Sequence, residues 1–256
     1  MESDSMLSPD SVLSFSQNGF VVVRSVVELR RIKELRAAHD KLVVRWAAEC
    51  EVSVDEYERV VSQWTNLHEQ HPSFHAQIHH PQVIAISQHL LGVKSLQLFH
   101  DHLISKPPNK SSTIPWHQDY PYWPVDKPKA LSCWLALDDV DSETGGMQFM
   151  PGAHLEGEKP PVDFLRSPRD WGERINEAET TRLKAGDCLF HSCLSWHTSP
   201  PNLSSRPRRG FISIMMSNEC RWDPDHSDWH PMNDYVTVAE GEQFNHDRFP
   251  VLGETG

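Results

Sequence analysis

The sequence has no excess of positive charge, no membrane-length apolar run, no paired cysteine motif and no internal repeat, and each absence removes a class of function. Lys and Arg number 24 against 36 Asp and Glu, giving a formal net charge of -12. Domains that grip nucleic acid neutralise phosphates with a basic face. Anionic membrane surfaces recruit clustered Lys and Arg. Neither partner is therefore expected. No apolar stretch approaches the ~20 residues needed to cross a bilayer. The opening MESDSMLSPD lacks a basic segment followed by an apolar one, so no signal peptide is expected. Cys50, Cys133, Cys188, Cys193 and Cys220 form an odd set without a C-x-x-C pair. They read as reduced, mostly buried thiols of a cytoplasmic protein. On that reading Asn109-Lys110-Ser111 and Asn202-Leu203-Ser204 are chance matches to a glycosylation triplet.

What is present fits a globular chain: 256 residues, 38% hydrophobic and 23% charged. A chain of this length buries most of its apolar surface without disulfides or a structural metal. Ser8-Pro9-Asp10 caps a short helix expected through Ser16, Asn18-Gly19 turns, and Phe20 to Val23 reads as a strand. From Val27 the residues Leu29, Ile32, Leu35, Leu42, Val43 and Trp46 recur at helical spacing, so one face of a long helix is expected to be buried. Further helices are expected from Val54 to Trp64 and from Pro81 to a stop at Gly92. Beyond residue 92 short β-type runs alternate with Pro and Gly: Leu96–Ser105, Leu131–Leu137, Met147–Met150, Cys188–Phe190 and Phe211–Met215. That pattern belongs to an antiparallel sandwich or barrel. The stretch from Glu156 to Glu179 reads as a loop, and the Trp-, Pro-, Asp- and His-rich tail after Cys220 takes no element. The expected architecture is one domain over 1–256. Residues 1–92 give mostly helical support, 93–219 a jelly-roll core with the metal site, and 220–256 a tail that is a candidate lid.

Trp116-His117-Gln118-Asp119 sets an imidazole and a carboxylate two residues apart, and on an extended strand such residues share a face. His197 follows 80 residues later on another expected strand. Two His and one carboxylate on one face of a metal leave the opposite positions open, the arrangement of non-haem Fe(II) oxygenases. The chain has 16 His, and a second H-x-D occurs at His226-Ser-Asp228. That match lies in the tail without a strand pattern beside it, and chance accounts for it. After His197 come Ser199, Arg206, Arg208 and Arg209. A fixed guanidinium fork beside the metal would hold a dicarboxylate, with the serine sharing the load.

From Leu96 to Met215 the sequence resembles the phytanoyl-CoA dioxygenase family of Fe(II)/2-oxoglutarate oxygenases. LISKPP with WHQDYPYWP, WLALDDVDSETGGMQFMPGAH and GDCLFHSCLSWHTSPPNLSSRPRRG carry the likeness, and SFSQNGFVVVRSVV extends it towards the N-terminus. The resemblance implies a mainly β fold, a double-stranded β-helix (cupin-like jelly roll) behind an N-terminal helical layer. It implies iron on His117, Asp119 and His197. Gly186-Asp187 stands ten residues before His197, as in the family. The arginine for 2-oxoglutarate falls eleven residues after that His, at Arg208. Ser199, Trp134, His102 and Lys106 match further positions that contact this co-substrate. The implied reaction couples O2 and oxidative decarboxylation of 2-oxoglutarate to oxidation, by default hydroxylation, of a C–H bond in a small molecule of secondary metabolism or a related class. Asp119 disfavours halogenation, which needs a small residue there. The sequence departs from the family at Thr198, where Gly is common and a narrower pocket would follow. The stretch from Lys106 to His117 is also shorter than in the namesake enzyme, which bears on the substrate loop and on any acyl-CoA substrate. Trp116, Tyr120, Tyr122 and Trp123 are candidate pocket aromatics, while His100 and His191 read as outer or core residues. Two rival readings stay open: a Zn-binding protein using the same trio, and a catalytically silent protein of the same fold.

Overall fold

The computed structural model describes residues 7–109, 112–164 and 170–253. Lys110 and Ser111 of the first triplet, the first six residues of the segment read for a signal, and residues 165–169 of the expected loop lie outside the described residues. Helix α1 (Pro9–Asn18) starts as its sequence dictates, with the Ser8 side chain accepting the Ser11 N–H and Pro9 in the first turn. Gly19 ends it at φ 87°, a left-handed conformation glycine adopts without cost. Strand β1 (Phe20–Val23) and helix α2 (Leu29–Glu49) follow. Ile32, Leu35, Leu42 and Val43 are buried as the spacing implies, but Leu29, at the first turn, is 63% exposed.

The helix expected from Val54 to Trp64 is instead two elements. A Ser53–Glu56 capping box opens α3 (Val54–Val60), and the chain then extends into strand β2 (Gln63–Thr65). Tertiary burial overrides helical spacing here: Trp64 is buried, stacked on Trp46 with centroids 6.3 Å apart and edge-on to His39 at 4.7 Å. Short helices α4 (Leu67–Gln70) and α5 (Pro72–Ile78) come next, unanticipated. Asp101 anchors α4 by accepting the N–H groups of Leu67 and His68. Helix α6 (Pro81–Leu91) stops at Gly92 as expected.

Eight further strands complete two antiparallel sheets: β3 (Leu96–Lys106), β4 (Ile114–His117), β5 (Ala130–Ala136), β6 (Gln148–Phe149), β7 (Glu179–Thr180), β8 (Cys188–Ser192), β9 (His197–Ser199) and β10 (Arg208–Ser217), with β11 (Val251–Leu252) added at an edge. The larger sheet runs β1-β8-β5-β10-β3-β11, with β2 also paired to β3, and the smaller runs β4-β9-β6-β7. The two face each other across a cavity, the jelly roll that the resemblance implies.

Alternation along the large sheet assigns each residue a side. Leu131, Cys133 and Leu135 of β5, Phe211 of β10 and Phe190 of β8 pack with the helices in one hydrophobic core. Their neighbours Trp134, Ile212 and Leu189 belong to the core on the cavity side. Strand β3 changes phase part-way. Its pairing with β10 steps from His100 opposite Ile214 to Leu98 opposite Met215, so Phe99 is an extra residue. The bulge turns Phe99, His100 and His102 inward while Leu96, Leu98 and Leu103 stay with the helices. The Asp187 carboxylate ties the helical layer to the sheet, accepting N–H bonds from Ser25 and Lys184 and pairing with Arg24 at 2.8 Å.

The tail, to which the sequence assigns no element, is structured. Trp222 bridges to Val125, a 3-10 turn spans Pro231–Tyr235, and β11 pairs with β3. Among the described residues no helix is long and apolar enough to cross a membrane.

Candidate functional site

His117 ends β4, and His197 opens β9 directly opposite it in the ladder, with ring centroids 4.2 Å apart. Asp119 reaches the same point by a different route from the one expected. The strand stops at His117, and Asp119 has helical angles (φ -79°, ψ -44°) at the start of a 3-10 turn. The N–H groups of Asp119 and Tyr120 both donate to the Cys193 carbonyl, which fixes that turn. Asp119 Oδ1 lies 3.6 Å from His117 Nε2 and 3.7 Å from His197 Nε2. Among the described residues, this trio is the group whose His, Cys, Asp or Glu ligand atoms gather within 4.8 Å of one another.

The surroundings set the protonation of each member. His117 Nδ1 is 2.8 Å from the Pro115 carbonyl and His197 Nδ1 is 3.0 Å from that of Ser195. A carbonyl only accepts, so each Nδ1 carries the proton and each Nε2 offers a lone pair to the centre. Burial, then the neighbouring His117, lowers His197 to about 3, so its ring is neutral. Burial alone would raise the Asp119 pKa, but the positive charge a facing imidazole carries when protonated, His197 first, outweighs it and holds the carboxyl well below its ordinary range. Its Oδ2 accepts the Ser132 hydroxyl at 3.0 Å.

Of Arg206, Arg208 and Arg209, two are engaged elsewhere: Arg206 pairs with Asp141 at 2.7 Å, and Arg209 with Asp138 at 2.9 Å and Asp40 at 3.1 Å. Arg208 is 1% exposed and lines the cavity. Its Nη1 donates to Ser199 Oγ at 3.0 Å, the Ser199 hydroxyl donates to the Gly145 carbonyl, and its guanidinium lies 4.9 Å from the Trp134 ring centroid. Nε has no partner among the described residues, and burial lowers the group to about 10. Trp134 has this place because Gly210 leaves it room: a Cβ there would fall 2.0 Å from Trp134 Cζ2. Gly210→Ala is expected to cost about 1–3 kcal/mol of stability by overpacking, and to weaken 2-oxoglutarate binding by displacing the ring beneath Arg208. Urea unfolding and a 2-oxoglutarate titration check the two effects.

The other expected contacts divide. His102 lines the cavity, with Nδ1 unpartnered among the described residues. Lys106 does not: its ammonium donates to the Ser112, Ser199 and Pro200 carbonyls, bracing the segment that carries Ser199. His100 and His191, expected outside the site, line the cavity. Tyr122 and Trp123 do so too, whereas Trp116 packs against Trp171 and the Tyr120 hydroxyl donates to the Val125 carbonyl. Thr198 is not among the described residues lining the cavity, and its hydroxyl donates to the Ile114 carbonyl at 2.6 Å. His226 of the second H-x-D bonds to the Trp123 carbonyl and to Glu158. Sequence reasoning missed Gln63, Thr65, Phe164, Trp229, His230 and Met232, which complete a cavity of about 450 Å³. No spacing links them to the trio; the pairing of β2 to β3, the packing of Phe164 on His117 and Tyr122, and the return of the tail bring them there.

An open-sided His–Asp–His centre and a buried arginine within a jelly roll define the class: a dioxygenase that works with iron and 2-oxoglutarate. Residues 15–210 match the model of phytanoyl-CoA dioxygenase (PhyH), most of the chain, and the chain belongs to that family. Ectoine dioxygenase of Bordetella parapertussis is 22% identical over 260 residues, covering 91% of this chain and 83% of the relative. Peroxisomal phytanoyl-CoA dioxygenase of Rattus norvegicus is 23% identical, covering 86% and 71%. Among solved structures, the non-haem α-ketoglutarate-dependent carbocyclase SnoK from nogalamycin biosynthesis superposes with TM-score 0.78 at 22% identity, over 96% of both chains. The epimerase SnoN, in complex with Fe3+, α-ketoglutarate and nogalamycin RO, gives 0.74 at 24% identity, over 94% of this chain and 97% of its own. These likenesses show a shared fold.

Proposed function

We propose that this enzyme oxidises a C–H bond of a small organic molecule, by default hydroxylating it, with His117, Asp119 and His197 as the iron ligands. Arg208 and Ser199 hold the distal carboxylate of 2-oxoglutarate, Trp134 and His102 line its berth, and Lys106 braces that berth from behind. The carrying observation is the buried guanidinium: Arg208 has no carboxylate partner among the described residues and its Nε is unpaired. A buried charge is costly unless something compensates it. A dicarboxylate reaching from the trio supplies the missing partner, and two imidazole nitrogens with one carboxylate form a donor set suited to Fe(II).

When bound, iron and 2-oxoglutarate supply the oxidant, one atom of O2 leaving in succinate and the other available to the substrate, with release of carbon dioxide. The chain contributes position. Pro115 and Ser195 hold the ligand tautomers, Ser132 fixes the carboxylate, and the apolar walls exclude water and hold the reacting carbon near the centre. The tail segment Trp229–Met232 forms part of the wall, consistent with a lid over the site. Zinc on the same trio, or a silent fold, leaves the unpaired Arg208 without a purpose.

Anaerobic titration of metal-free protein with Fe(II) and then 2-oxoglutarate tests this reading. A weak visible charge-transfer band is expected when both are present. Iron binding without the band in 2-oxoglutarate would overturn the assignment.

A further inference from the structure

The inference concerns the substrate and rests on the reading that this cavity is the site of oxidation. Among the described residues lining it, Asp119 is the one carboxylate and Arg208 the one Lys or Arg side chain. Once the site is loaded, the charges of Fe(II) and Arg208 are matched by those of Asp119 and 2-oxoglutarate. Of the other histidines on the wall, burial lowers His102 and His230 to about 4 and drives His100 well down, so these rings carry no charge. A carboxylate, phosphate or ammonium on the substrate would therefore enter without a counter-charge, at substantial cost.

The shape of the wall is equally informative. At its outer part Phe164 (42% exposed) and Trp229 (62% exposed) flank Tyr122, with centroids 5.6 and 6.1 Å from the tyrosine ring. The Tyr122 hydroxyl is already committed, donating to the Val162 carbonyl and accepting its N–H, so the ring is what remains to offer. Deeper in lie Ile104, Ile212, Ile214 and Met232. Within this apolar lining, His230 is a fixed polar point. It caps the 3-10 turn Pro231–Tyr235, its Nδ1 accepting the Met232 N–H at 3.2 Å. The single proton of the neutral ring is therefore on Nε2, which makes no hydrogen bond among the described residues. Phe99 at 5.2 Å and His100 at 5.9 Å hold the ring in place.

We infer that the substrate is an uncharged molecule with an apolar, ring-bearing body clasped by Phe164, Tyr122 and Trp229, and that His230 Nε2–H donates to a carbonyl or hydroxyl oxygen on it. His230 is thus a specificity residue supplied by the tail.

Three bicyclic probes of one shape separate the elements of this claim: 1-tetralone (a ketone), tetralin (no oxygen) and tetralin-1-carboxylate (an anion). Their binding to the anaerobic Fe(II)–2-oxoglutarate enzyme is measured by equilibrium dialysis. The ketone is expected to bind roughly tenfold more tightly than tetralin, about one net hydrogen bond. It should also exceed the carboxylate by at least that factor. His230→Phe should erase the ketone-to-tetralin ratio, and His230→Gln, which keeps an N–H donor, should restore part of it, an outcome that a purely packing role would not give. Equal or tighter binding of the carboxylate overturns the inference. So does failure of all three probes to bind, or an unchanged ratio in His230→Phe. The charge-transfer band keeps the two readings apart. If it is absent, the assignment of the site fails; if it is present with the wrong probe order, only the substrate inference fails.

Discussion

His117→Ala is expected to lower Fe(II) affinity by more than about 100-fold and to abolish both the charge-transfer band and succinate formation, while leaving a folded protein. The lower bound follows from known behaviour of metal sites, in which losing an outer hydrogen-bonding partner alone costs roughly 10–100-fold. His117 is more than such a partner. It is one of three donors whose atoms gather within 4.8 Å, and its replacement leaves only His197 and Asp119. The fold should tolerate the change. The ring sits at the cavity wall, and the fixed bond it gives up is that to the Pro115 carbonyl, worth about 1 kcal/mol net. Ser132→Ala calibrates the result: it removes the hydroxyl on Asp119 Oδ2 and should weaken iron binding only within the 10–100-fold range. Anaerobic iron titration and far-ultraviolet circular dichroism read the two halves. A folded His117→Ala with wild-type iron affinity would remove His117 from the ligand set.

The parts of the molecule that were legible in the sequence are those written in local code. Ser8-Pro9 and Gly19 bound α1, Gly92 ends α6, and β3, β5, β8 and β10 appear where short β-type runs stand between Pro and Gly clusters. The trio was legible because H-x-D is a compact signal with a distant His at sheet-length separation. Its geometry was not, since the turn at Asp119 depends on the Cys193 carbonyl, 74 residues away. Two kinds of feature were hidden. Tertiary pairing converted Gln63–Thr65 from expected helix to strand, because β3 offered an edge and Trp46 a partner for Trp64. A single extra residue at Phe99 decided that His100 faces the cavity, and a bulge of this kind carries no composition signal. The tail was least legible: its aromatic and proline content fits loop or lid equally, and only the β11 pairing and the Trp222–Val125 bridge show how it returns to the site.

Arg208→Met should move ligand affinity and stability in opposite directions, which makes it the sharpest test of what the arginine is for. In the free protein the guanidinium is 1% exposed and among the described residues has one hydrogen-bond acceptor, Ser199 Oγ; burial is the cause that lowers its pKa to about 10. A charge held that way costs free energy, and an apolar side chain of similar length, still able to lie on Trp134, removes that cost. Metal-free Arg208→Met is therefore expected to be more stable than wild type in urea, by about 1 kcal/mol or more. With 2-oxoglutarate the order reverses. Truncating one member of a buried charged pair costs roughly 2–5 kcal/mol, so the variant should need at least about 30-fold more 2-oxoglutarate to form the charge-transfer band. Wild type should gain about 2.7 kcal/mol at a 2-oxoglutarate concentration 100 times its dissociation constant, whereas the variant at that concentration should gain well under half as much. If Arg208→Met is instead destabilised and its 2-oxoglutarate requirement is unchanged, the arginine serves the fold through Ser199 and Gly145. The co-substrate would then be held by some other group. If stability rises while affinity falls, the buried charge is kept at the expense of the free protein because the bound dicarboxylate needs it.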